Sequence, residues 1–164
     1  MQSARFAAFL LLIIFVQTLL GCGSPSSNQN SSGPGTNTSS SVSNVVPKDN
    51  AEELALLVNL PFEAEEVAWN EIPESKTLTA VIRFSPQNAG KMSAELARTG
   101  AGTPETLAVE TWYPAELLAQ AELSGESSIK GKSYSAEAFL NPPYTKGKIT
   151  QIENTDYFIL QMSA

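Results

Sequence analysis

A serine and a lysine stand at catalytic spacing in Ser127-Ser128-Ile129-Lys130, a Ser-x-x-Lys. On a helix that spacing sets an amine beside a serine nucleophile, as in penicillin-binding enzymes. Here the stretch lies between Gly125 and Gly131 and reads as loop and strand. Neither a Ser-Asp-Asn nor a Lys-Thr-Gly accompanies it. Glu63, Glu65 and Glu66, with Glu52 and Glu53 upstream, gather carboxylates of the kind that bind calcium or cleave sugars. They lack the alternating Asp/Asn/Gly loop of a dedicated calcium site, and a solvated acidic face is the expectation. The chain has no histidine, so a Ser-His-Asp or Cys-His arrangement is impossible and the commonest metal ligand is missing. No nucleophile elbow, phosphate-binding loop or dinucleotide glycine fingerprint occurs. These residues predict a non-enzymatic protein with no cofactor and no metal.

Binding chemistry is better represented. Lys130, Lys132, Lys146 and Lys148 form the main basic concentration and flank the segment from Tyr134 to Tyr144. Brought together across neighbouring strands, they would face an anionic lipid, a wall polymer or an acidic partner. Scattered, they are the strand-edge lysines that discourage sheet aggregation, which is the favoured reading. Among the aromatics, Trp112 stands at a strand-to-helix junction and is expected to pack inward. Tyr113, and Tyr144 beside Pro142-Pro143, are expected at the surface as interface anchors.

The chain of 164 residues carries a net charge of −7 from 10 Lys+Arg and 17 Asp+Glu. A surface of that sign repels a phosphate backbone, so no nucleic-acid partner is expected. The single cysteine, Cys22, excludes an intramolecular disulfide, so the fold must rest on its apolar core.

Cys22 has a distinctive setting. Arg5 is followed by FAAFLLLIIFVQTLL, residues 6–20, and then by Gly21 and Cys22. Fifteen residues rise about 22 Å as a helix, short of the roughly 20 residues that span a bilayer core. The pattern fits the apolar region of a signal peptide. Leu19-Leu20-Gly21-Cys22 resembles a lipobox, the processing site of bacterial lipoproteins. The resemblance covers residues 1–22 only. It implies cleavage before Cys22, a diacylglyceryl group on its thiol and acylation of the freed amine in many bacteria. Two or three acyl chains anchor stably where one does not. Loss of Arg5 would leave 9 Lys+Arg against 17 Asp+Glu, a net of −8. In Gram-negative members an Asp after the cysteine favours the inner membrane; Gly23 here favours the outer membrane if the cell has one.

Gly23–Pro47 contains nine Ser and four Asn and no charge. With almost nothing to bury, it cannot offset its ordering entropy and is expected to be a disordered tether. As a flexible coil its ends would sit roughly 25–30 Å apart. The expected organisation is therefore a signal peptide over 1–21, a lipidated cysteine and linker over 22–48, and a domain over 49–164.

Within 49–164, Asn50 followed by Glu53 marks a helix start, and Pro61 a limit. Val67–Ile72 and Thr77–Phe84 read as strands, the second with strict alternation. Ser85-Pro86 caps a helix carrying Ala89, Met92 and Leu96, stopped at Gly100. Thr106–Trp112 is a predicted strand and Pro114–Glu122 a predicted helix. Ser128–Tyr134 is a further strand, followed by a turn of helix capped by Ser135. Lys148–Glu153 and Tyr157–Met162 form a predicted hairpin. The pattern predicts an α+β domain: a mostly antiparallel sheet with short helices packed on one face.

Three functions remain to be separated. A protein-binding or scaffolding module of the cell envelope predicts an exposed apolar or aromatic patch. A binder of lipid, glycan or peptide predicts a concave apolar groove. A hydrolase is the least favoured.

Overall fold

The computed structural model describes residues 46–164. The signal segment with Leu19, Leu20, Gly21 and Cys22, and all but the last two residues of the tether, lie outside the described residues. The elements are α1 (Ala51–Leu57), β1 (Ala64–Ile72), β2 (Thr77–Phe84), α2 (Pro86–Thr99), β3 (Thr103–Ala108), α3 (Ala115–Leu123), β4 (Ser128–Ser135), a 3-10 turn (Glu137–Phe139), β5 (Lys146–Ile152) and β6 (Tyr157–Ser163). The strands form one six-stranded sheet in the order β1-β2-β6-β5-β4-β3. Every neighbouring pair is antiparallel. The fold is α+β, as the sequence predicts.

Local chemistry sets the helix starts. Asn50 Oδ1 accepts the backbone N–H groups of Glu52 at 2.9 Å and Glu53 at 3.0 Å. Ser85 Oγ accepts from Asn88 N at 3.2 Å, and Pro86 opens α2 where a missing N–H costs nothing. Gly100 ends it at φ +148°, a backbone that L side chains rarely adopt. The expected strand 106–112 is displaced: β3 ends at Ala108, and Tyr113 N–H closes a turn onto the Glu110 carbonyl at 3.0 Å. After the turn Tyr113 lies in the α3-side core with Leu107.

The helices are divided between the two faces of the sheet, which corrects the expectation of one face. Leu54 of α1 and Ala89, Met92 and Leu96 of α2 cover Leu78, Ala80, Ile82 and Phe84 of β2 with Phe158, Leu160 and Met162 of β6. Phe84 and Phe158 meet edge to face, 5.5 Å between centroids. On the opposite face, Leu117 and Ala121 of α3 cover Val81, Ile159, Ile152, Ile129 and Leu107. The reason lies in β2 and β6. Each carries apolar side chains at odd as well as even positions, and a strand apolar on both sides must be covered on both.

The two borders of the sheet differ. On the β1 border, Lys48 and Trp69 exchange backbone hydrogen bonds of 2.8 Å in each direction. Lys48 also lays its ammonium over the Trp69 ring at 4.4 Å, and the indole N–H donates to the Asn50 carbonyl at 3.2 Å. Lys48 is thus part of the fold, one residue before the expected domain start. On the β3 border, Val109 N–H donates inward to Ser127 O, so the odd residues of β3 pair with β4. Pro104, Thr106 and Ala108 turn their backbone outward, and Pro104 has no N–H to offer.

Candidate functional site

The two tyrosines expected at the surface are buried, which corrects that expectation. Tyr113 fills the α3-side core with Leu117 and Ile152. Burial and the nearby Glu110 charge push its phenol up to about 12. Tyr144 lies in the other core and donates its hydroxyl to Glu71 Oε1 at 2.7 Å. Burial, that hydrogen bond and the Glu71 charge push its phenol up. Trp112 packs against the α3-side core as expected but is only half-buried. It stacks edge to face on Tyr113 at 4.7 Å and its indole N–H donates to Glu110 Oε2 at 2.7 Å.

The four lysines do not converge. Lys130 and Lys132 project from the α2 side of β4, whereas Lys146 and Lys148 project from the α3 side of β5, as the register and the alternation of side chains require. Lys148 is engaged by Glu105. The Ser-x-x-Lys motif has no helix to carry it: Ser127 lies in the bend before β4 and Lys130 in the strand itself.

Among the described residues no cluster of three metal-ligating side chains occurs. Glu63 and Glu65 are exposed, and Glu66 lies 3.1 Å from Arg83 Nε, an ion pair whose N–H is not aligned for a hydrogen bond. Tyr157 O–H faces Glu66 Oε2 at 3.2 Å and Glu116 Oε2 at 3.3 Å. One phenolic proton serves them one at a time. Burial, then the two carboxylate charges, push this phenol up.

One concave apolar feature is a groove of about 340 Å³ between the α1–β1 loop, α2 and the 3-10 turn; another, of about 370 Å³, lies between Val109, Leu118 and Ala121 on the α3 side. In the first, Leu60, Pro61 and Phe62 form one wall, Glu95, Leu96 and Thr99 the second, Ala138 and Phe139 the third. Polar ties fix the loop at both ends. Asn59 N–H donates to the Phe139 carbonyl at 3.0 Å and Asn59 Nδ2 to the Leu140 carbonyl at 2.9 Å. Asn88 Nδ2 donates to the Glu63 carbonyl at 3.2 Å. Lys91 approaches the Phe62 ring at 5.9 Å. The groove is at the small end of ligand sites, large enough for one or two apolar side chains or a short acyl segment. Sequence reasoning did not single out these residues. Phe62 follows Pro61 beyond the end of α1, and only the tertiary fold brings residues 59–62 against 138–139.

No family model matches the chain, and neither a curated protein nor a solved structure does.

Proposed function

We propose that this chain is a lipid-anchored bacterial lipoprotein whose α+β domain is a non-enzymatic binding module of the cell envelope. The observation that carries the anchoring is Leu19-Leu20-Gly21-Cys22 directly after a 15-residue apolar run. Among the described residues no helix is long and apolar enough to cross a membrane. The groove supports the binding role: preformed, apolar and held by three side-chain or backbone ties. It suits an apolar anchor of a protein partner. A small apolar ligand is the second reading, favoured by the same concavity.

Two experiments test these parts separately. Mass spectrometry of the mature product is expected to find an N-terminal Cys22 carrying a diacylglyceryl group. An uncleaved chain or an unmodified thiol overturns the anchoring. A photo-reactive side chain at Ala138 is expected to give a discrete in-cell adduct that Phe62→Glu abolishes, while the same probe at Asn154 gives none. Equal adducts at both positions, or none at Ala138, overturn the groove.

A further inference from the structure

We propose that the end of the domain at which the chain enters the fold is a membrane-facing surface that docks on anionic lipid headgroups. The inference rests on the anchoring reading and adds an orientation to it.

The sheet register defines the two ends. Ile72, Thr77, Ser163 and Lys146 are aligned across β1, β2, β6 and β5, and the β1–β2 turn with Lys76 projects beyond them. Lys48 pairs antiparallel with Trp69, so the chain upstream of it runs along β1 toward Ile72. Val46 therefore lies at this same end, 84% exposed, and Ile72 is 47% exposed. Apolar side chains and the amines of Lys76 and Lys146 thus share the end at which the chain enters the fold. Neither lysine has an ion-pair partner among the described residues. The acidic residues at this end are Glu74 in the same turn, Glu71, whose carboxylate accepts the Tyr144 hydroxyl, and Glu137 just after β4.

The opposite end is acidic. Glu63 precedes β1, Glu110 follows β3, Glu116 opens α3, and Glu153 and Asp156 flank the β5–β6 turn, against Lys130 and the Glu66-paired Arg83 as the cations. An anionic bilayer repels that end far more than the end that presents Lys76 and Lys146. That difference would not by itself recruit a free protein. A tether of some two dozen residues holds the domain at a high effective concentration, where a weak contact suffices to orient it.

The test couples the mature chain, through the Cys22 thiol, to a maleimide-bearing lipid in vesicles. Anchorage is then imposed whatever the cell attaches to Cys22, so failure here is distinct from failure of the anchoring reading. Amide hydrogen exchange is compared on phosphatidylglycerol-containing vesicles and on pure phosphatidylcholine. The expected result is severalfold slower exchange in the β1–β2 turn and at the start of β5 on the anionic vesicles only. No slowing is expected at residues 153–156. Lys76→Glu with Lys146→Glu is expected to abolish the difference, and Lys76→Gln with Lys146→Gln to reduce it. Circular dichroism checks that both variants fold. High salt should erase it too. Exchange that is the same on both vesicle types, slowing that spreads equally to residues 153–156, or a difference that survives the charge reversal overturns the proposal.

Discussion

Glu105 on β3, whose register partner on β4 is Gly131, reaches diagonally across β4 past Ser133 to engage Lys148 on β5. Thr150 Oγ1 adds a hydrogen bond to the same carboxylate at 3.0 Å. A Cβ at Gly131 would lie 2.4 Å from the Gln151 carbonyl oxygen and 2.8 Å from Thr150 Cγ2. Gly131→Ala is therefore expected to destabilise the domain by about 1–3 kcal/mol through forced backbone shifts. Denaturant unfolding measures it. A variant within about 0.5 kcal/mol of wild type would show that the strands part without strain.

The same carboxylate predicts an acid dependence. Burial works to raise the Glu105 pKa, but hydrogen bonds from Lys148, Ser133 and Thr150 and the Lys148 charge outweigh it and hold it below its ordinary value. A depressed carboxyl stabilises the fold above its unfolded pKa and loses that contribution as pH falls through the folded one. The cost of Glu105→Gln should be greatest at neutral pH and shrink below about pH 4. Chemical denaturation of both proteins across pH 2.5–7 checks this, and a cost that does not change with pH refutes it.

Alkali should act through the tyrosines. The Tyr113 phenol is pushed up to about 12, and those of Tyr144 and Tyr157 are also raised. A raised folded pKa keeps its stabilisation below the unfolded value and loses it on climbing through the folded one. Stability should therefore hold to about pH 10 and decline between there and 12. The appearance of phenolate absorbance together with loss of structure, rather than before it, is the expected observation.

The two cores are separated by the sheet. Leu117→Ala on α3 and Met92→Ala on α2 remove fully buried side chains from opposite faces. Each is expected to cost about 2–5 kcal/mol. Because they share no side-chain cluster, the double variant should equal the sum within about 0.5 kcal/mol. A larger discrepancy would mean that the central strands transmit packing defects from one face to the other.

Much of the architecture was legible because its signals are local. Thr77–Phe84 alternates and matches β2 residue for residue, and Ser85-Pro86 and Gly100 bracket α2 as read. The second covered face has a local signal as well: Val81 in β2 and Tyr157 and Ile159 in β6 put apolar side chains at the positions a solvated face would leave polar. The interaction residues failed for a different reason. Whether Tyr144 is exposed depends on Glu71, 73 residues away, which accepts its hydroxyl proton. Whether four lysines meet depends on strand register, which alternation along one strand does not contain. The groove is non-local in the same way, since Asn59 and Leu140 are 81 residues apart.

Under the proposed lipid anchoring, Pro104 has a consequence at the scale of a membrane. Molecules confined to one bilayer leaflet collide in two dimensions, and a sheet with open borders would let neighbours zip side by side into ribbons. Here one border is partly occupied by the chain's own Lys48, and the other lacks an N–H near its start. A crowded anchored population would thus remain separate copies rather than a ribbon.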